Sequence, residues 1–481
     1  MDVTELCELS ASAAVARMAS GEISAETYAT ALLARCGQGA HLNAFINLDA
    51  EQVLAQARSA DAHRTAGKPL GPLHGLPVPV KDSINTADYP TTGGTNALRG
   101  FRPATDAAAV SLLRQAGAIV LGKTNLHELS FGWTSSNAAF GAVRNPHDPS
   151  RIPGGSSGGT AAAVAAGMAP LGVAEDTAGS IRVPAALCGL FGFRPTTGRH
   201  PNAGVVPMTA LFDQVGPHAR CMDDILLFDE VMTGEPAFAA PIPLAGLRLG
   251  LDLAFFFSSL DPEVAEATAG IVAVLDAAGV VIVDVQLSGL QALVDAASVP
   301  VIFHDFLPSL SAYLAAHDAP VSLTELAGQV ASPDVQAAIS LCTPISAMPD
   351  PTYVMARDHH RRTLQQLLAN CFADHRISAL LFPTTLVPAT PIGSDRVVPI
   401  NGVEVPFATA IGRNILPGST AGLPGLVMPC GLGQTSGLPI SIELDGPAGS
   451  DRALLAIGMA IAALLPPMPA PAVTAASLAG A

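Results

Sequence analysis

A serine hydroxyl becomes a nucleophile only when a neighbouring group accepts its proton, so potential bases and the loops that can face them are the informative residues. Lysine occurs only at positions 68, 81 and 123, against 21 arginines. A chain that takes its surface charge from arginine needs a reason for each lysine, and one such reason is that lysine can release its proton whereas arginine cannot. Lys81 ends the apolar run 76–80 in LPVPVKDS, and an approach of that kind disfavours the ammonium form. Two serine-bearing segments follow it. Ser156 and Ser157 lie in PGGSSGGTAAAVAAG, and Ser180 lies in EDTAGSIRVPAALCGLFGFRPTTG. A Gly/Ser loop entering an apolar helix is a place where backbone donors converge. The turn Thr177, Ala178, Gly179 and Ser180 can likewise aim several N–H groups at one point, as an oxyanion requires.

Two shorter motifs compete with this reading. Gly117-x4-Gly122-Lys123-Thr124 matches the P-loop pattern, and 280–284 resembles a Walker B strand. A P-loop needs a glycine-permissive turn between its glycines, and here the four residues are Ala-Ile-Val-Leu, a strand. Gly117 reads better as the stop of a preceding helix, which leaves nucleotide binding as an alternative testable by ATP titration. Gly155-Ser156-Ser157-Gly158-Gly159 matches the nucleophile-elbow pattern with Ser157 at its centre. An elbow needs a strand running into it, and 144–153 holds three prolines and no apolar run.

Together, Lys81, the Gly/Ser loop and Ser180 resemble the amidase signature family, hydrolases with a Ser–cis-Ser–Lys triad. The likeness extends to Gly122-Lys123-Thr124-Asn125, Phe140-Gly141, Arg144-Asn145-Pro146, Pro383-Thr384-Thr385, Gly437-Leu438-Pro439, Asp451 and Leu454-Leu455. It covers roughly 65–465, and around Ser180 it looks closest to indoleacetamide and mandelamide hydrolases. The resemblance implies Ser180 as nucleophile, Ser156, on a cis peptide, as the proton bridge, and Lys81 as the neutral base. It implies an oxyanion hole from the backbone of Thr177, Ala178, Gly179 and Ser180. Ser157, Asp176 and Arg182 are then supporting residues, and Ser130, Phe131, Gly132 and Trp133 line the acyl pocket. Trp133, the chain's single tryptophan, has a core aromatic role as its alternative. Two departures stand out: Ala178 replaces the usual Gly, so the loop must adopt a conformation a Cβ tolerates. Glu175 replaces the usual Thr or Ser, and near Lys81 it would favour the protonated amine. His127 and His147, the closest histidines, suit ordinary loop or buried roles.

The elements that must position these residues follow a repeated grammar. Segment 105–121 reads as a helix with Asp106 as N-cap, a stop at Gly117 and a strand; 261–285 repeats it with Asp261, Pro262 and Gly279, after a strand at 247–253. Strand–helix–strand units predict an α/β fold with a large, partly parallel sheet, and the resemblance implies a mixed sheet flanked by helices on both faces. The expected organisation is an N-terminal helical segment over 1–65, one α/β domain over 66–465, and a mobile, low-complexity tail over 466–481. Within it, 234–345 is expected to form a variable helical region on the substrate side, whose Phe303, Phe306 and Tyr313 line a cleft or fill a core.

Composition narrows the function classes. With 24 basic and 40 acidic residues, a net charge of −16 has the wrong sign for a nucleic-acid partner. The longest apolar run, 453–465, is shorter than a membrane span, and residues 1–18 lack a basic signal region, so a cytoplasmic protein is expected. Seven scattered cysteines without a Cys-x-x-Cys pair suggest neither a disulfide framework nor a metal site, and no cofactor is expected. The anticipated activity is hydrolysis of small aryl or apolar acyl amides, with ester and carbamate (urethane) or anilide cleavage as alternatives. A glutamine amidotransferase-type subunit is another alternative, and a homodimer is left open.

Overall fold

The computed structural model describes residues 2–236, 242–346 and 350–472. Eleven strands form one mixed sheet: β1 (Phe45–Asn47), β2 (Pro77–Lys81), β3 (Ile119–Thr124), β4 (Leu171–Asp176), β5 (Phe191–Arg194), β6 (Gln214–Ala219), β7 (Arg248–Leu251), β8 (Val281–Asp284), β9 (Ala379–Pro383), β10 (Gly425–Leu432) and β11 (Pro439–Asp445). Their spatial order is β1-β3-β2-β4-β6-β5-β10-β11-β9-β7-β8. β2 lies parallel to both β3 and β4, which brings the ends of these three strands to one side of the sheet. β4 is antiparallel to β6. β2, β3 and β4 are buried along their whole length, as expected where helices cover both faces. One hydrophobic core runs from Leu6 to Ile461 and takes in the N-terminal helices.

The two predicted strand–helix–strand units form. The first helix is Ala108–Gln115, and Gly117 follows it at φ +94° and leads into β3. Its N-cap is Ala107 rather than Asp106. Asp106 is drawn away instead, accepting from the Ala87 amide at 2.8 Å and pairing with Arg114. The second helix, Pro262–Ala277, is capped by Asp261 as its sequence predicts.

The region 234–345 is not uniformly helical. Residues 248–284 contribute β7, a helix and β8 to one edge of the sheet, because β9 offers β7 a parallel partner. Only the helices from 290 onward form the separate layer, with Phe306 and Tyr313 inside a second core and Phe303 packed at its margin. The 27-residue helix Leu290–Ala316 is long and apolar enough to cross a membrane. It contains Pro300 and Pro308, and its Val301, Ile302, Phe306 and Leu310 are buried in that second core. In the described part of the tail, 466–471 line a cavity of about 630 Å³ beside Cys7 and Arg220; residues 473–481 lie outside the described residues.

Candidate active site

The parallel pairing of β2 with β3 and β4 delivers Lys81 to the end of β2, fully buried. Its Nζ lies 2.6 Å from the Ser156 Oγ and 2.6 Å from the Glu175 Oε1 on β4. Burial pushes the Lys81 ammonium below its ordinary range, and the Glu175 carboxylate works in the opposite direction.

Ser156 follows a cis peptide bond from Gly155. Its carbonyl accepts from the His127 amide at 3.0 Å and from the Ser135 hydroxyl at 3.2 Å. The loop's glycines are needed for close approach: a Cβ on Gly155 would stand 2.8 Å from the Trp133 carbonyl carbon. Ser157 stands at the N-cap position of the buried helix Gly158–Ala165 without a side-chain capping bond, and its hydroxyl donates instead to the Glu175 carbonyl at 3.1 Å. No strand runs into this loop, so it is not a nucleophile elbow.

Ser180 ends the turn that leaves β4, just before the helix Arg182–Cys188. It is 4% exposed, and its hydroxyl has no hydrogen-bond partner among the described residues. The left-handed residue of the turn is Gly179, at φ +112°, where a Cβ would meet Ile415 at 2.1 Å. Ala178 carries its Cβ without a positive φ, which accounts for the departure at that position. One of the four expected oxyanion donors is lost, because the Gly179 amide is turned into the Asp176 carboxylate at 2.8 Å. The amides of Thr177, Ala178 and Ser180 have no acceptor among the described residues.

Behind the turn, Asp176 accepts from the amides of Gly179 and Ile181 and from the Arg182 Nε at 3.1 Å. Burial would raise the Asp176 carboxyl, but Arg182 and Arg194 outweigh it and hold it well below the usual carboxylate range. Arg182 reaches on to Glu443 at 2.7 Å and to Ser419. Asp213 accepts from the Thr177 hydroxyl at 2.6 Å; burial, then the Glu175 charge, push its carboxyl up to about 7. The sequence carried no sign of Asp213, Arg194 or Glu443 at this site. Glu443 sits on the alternating strand ISIELD, where a buried acid signals a partner only once the sheet is assembled.

The four residues expected to line the acyl pocket separate. Phe131, Gly132 and Trp133 are half-buried, as is Ala178. Phe131 makes edge contacts with Phe303 and Phe306, at centroid distances of 5.5 and 4.9 Å. The Trp133 indole donates to the Ala178 carbonyl at 2.9 Å, tying this wall to the Ser180 turn. Ser130 is buried, unlike the three residues after it. At φ +58° its side chain turns inward, and its hydroxyl donates to Glu175 at 2.6 Å. His127 engages Asp334 at 2.8 Å, and His147 contacts the Cys188 carbonyl at 3.2 Å. Lys123 is enclosed by Asp82, Ile84 and Thr91 within a strand, so the P-loop match has no loop.

Comparison with known proteins decides the family: the model described as Amidase matches residues 28–455. The chain belongs to the amidase family. Its members hydrolyse amide carbon–nitrogen bonds, and this chain is an amidase in that sense. An indoleacetamide hydrolase from Agrobacterium vitis is 41% identical over 430 residues, 89% of this chain and 91% of that protein. A mandelamide hydrolase from Pseudomonas putida is 37% identical over 97% of this chain and 93% of its own length. Among solved structures, the peptide amidase from Stenotrophomonas maltophilia superimposes with a TM-score of 0.83 at 32% identity, covering 96% of this amidase and 98% of that chain.

Proposed function

We propose that this amidase cleaves small amides with aryl or otherwise apolar acyl groups through an acyl-enzyme on Ser180. The observation that carries the reading is the buried Lys81 amine, 2.6 Å from the Ser156 hydroxyl, with an unpartnered serine at the neighbouring turn. Ser180 Oγ attacks the carbonyl carbon and its proton passes to Ser156, whose own proton passes to the neutral Lys81 amine. The oxyanion meets the amides of Thr177, Ala178 and Ser180. When the C–N bond breaks, the proton returns through Ser156 to the leaving nitrogen. Water then repeats the relay against the acyl ester on Ser180. Ser157, Asp176 and Arg182 hold the two loops in register.

The half-buried rings of Phe131, Trp133 and Phe303 favour an apolar acyl group over a small polar one. The names of the hydrolases of indoleacetamide and mandelamide point the same way. A relay that expels an amine also expels an alcohol, so aryl esters and carbamates belong in the same substrate screen.

A serine-directed fluorophosphonate tests the assignment by intact mass. A single adduct on the wild type, absent from Ser180→Ala, is expected. An adduct of equal yield on Ser180→Ala overturns it.

A further inference from the structure

We propose that Glu175 is a positioning residue of the proton relay: its carboxylate orients the Lys81 amine toward Ser156 and sets the pH at which that amine becomes a base. The inference rests on the reading of Lys81 as the base.

The geometry is specific. One buried nitrogen lies between two oxygens, each at 2.6 Å, and one of those oxygens is Glu175 Oε1. The same oxygen receives the Ser130 hydroxyl at 2.6 Å and the Ser83 hydroxyl at 3.3 Å. Three donors converging on one carboxylate oxygen fix its position. The Glu175 carbonyl accepts from Ser157, so this one residue touches the lysine strand, the segment ahead of the aromatic wall and the Gly/Ser loop.

The sign of its effect follows from charge. Burial favours the neutral amine, and an adjacent carboxylate favours the ammonium. With Glu175 present, the neutral base therefore forms at a higher pH than in the same pocket without it. The other charged or titratable groups around Lys81 are already engaged. On β4, Asp176 is held by Arg182 and Arg194. Ahead of β6, Asp213 takes the Thr177 hydroxyl and the amides of Met208 and Thr209. On β6, burial lowers the His218 imidazole to about 4, and its Nε2 contacts the Ile181 carbonyl at 2.8 Å. Next to Lys81 itself, Asp82 pairs with Lys123 of β3. The Ser156 loop and Ser130 contribute hydroxyls. Among the described residues, Glu175 alone makes an ion pair with the Lys81 amine.

The test measures kcat against pH with phenylacetamide as the probe, for the wild type, Glu175→Gln, Glu175→Thr and Asp213→Asn. Thr is the residue type that the resemblance to the amidase signature family places at 175, so the second variant guards against a folding failure of the first. Selective 13Cε labelling of the three lysines follows the Lys81 amine directly, with Lys81→Ala giving the assignment and measured for kcat alongside the rest. The expected result is that both Glu175 variants move the acid limb, and the Lys81 midpoint with it, down by about one pH unit or more. Asp213→Asn leaves the Lys81 midpoint near that of the wild type. A Lys81 midpoint unmoved in the Glu175 variants, whatever their kcat, overturns the role of Glu175. A fully active Lys81→Ala overturns instead the reading of Lys81 as base.

Discussion

Two buried lysines lie side by side on neighbouring parallel strands, and they make different kinds of site. Lys81 at the end of β2 pairs in register with Thr124, and Lys123 of β3 pairs with Val80. Both are fully buried, both have a carboxylate within ion-pair distance, and burial lowers both ammonium groups from their ordinary value. The difference lies in the remaining partners. Lys123 donates to the Ile84 carbonyl at 2.6 Å and the Thr91 hydroxyl at 2.8 Å and forms an ion pair with Asp82 at 3.3 Å, which closes its site. Lys81 has two partners, the Glu175 carboxylate and the hydroxyl of Ser156 on the Gly/Ser loop. Burial and an acidic neighbour are common to both lysines, so on the proposed mechanism it is the contact with Ser156 that distinguishes Lys81 as the base.

The largest expected effect breaks the pair apart. Lys81→Met and Lys123→Met each strand a buried carboxylate, so each should lose about 3–5 kcal/mol of stability in urea unfolding. Only Lys81→Met should lose turnover, by about 10⁴-fold, while the folded Lys123→Met keeps kcat within about threefold of the wild type because its lysine touches no reacting group. A Lys123→Met variant of wild-type stability but without activity would break the comparison.

A smaller effect distinguishes the two surroundings by what titrates in them. The Asp213 carboxyl lies near the Lys81 site, and its folded-state value, about 7, stands above its ordinary 3.8. The folded protein then holds a proton that the unfolded chain releases, so this group's contribution to stability is complete below about pH 4. It is lost as pH rises toward about 7. Urea titrations across that interval should show the decline in the wild type and its attenuation in Asp213→Asn. Identical slopes would remove Asp213 from the account.

The smallest effect concerns the wall beside Ser180. Trp133→Phe keeps the ring and deletes the donor to the Ala178 carbonyl, a bond worth about 0.5–1.5 kcal/mol. The expected result is a two- to tenfold fall in kcat with KM little changed, since the turn proposed to stabilise the oxyanion loses its brace. A rise in KM alone would assign Trp133 to substrate contact instead.

Much of the fold was legible from local grammar. Gly117 and Gly279 end helices and open strands as their positions predict, and Asp261 caps as predicted. Asp106 failed as a cap because the Ala87 amide, from outside the helix, and Arg114, from its last turn, compete for its carboxylate. Within 234–345, the strands expected at 247–253 and after Gly279 form because the sheet offers them an edge, and the separate helical layer begins only at 290. At the site, the residue types around Lys81, Ser156 and Ser180 were readable. The inward turn of Ser130 and the turn of the Gly179 amide into Asp176 were not, since the first depends on a carboxylate 45 residues away and the second on the backbone angles of the turn itself.

The sequence by itself determined which residue types could carry this chemistry: a lysine where arginine cannot serve, two serines on glycine-rich turns, and strands that end beside them. It took the assembled sheet to bring Lys81 to the Ser156 hydroxyl, to close Lys123 among Asp82, Ile84 and Thr91, and to set Glu175 against the first. The physical reason is separation along the chain. Lys81 reaches Ser156 across 75 residues, Glu175 across 94, and Arg182 reaches Glu443 across 261. Contacts at those separations are set by the order of strands in the sheet, to which side-chain spacing within any one segment is blind.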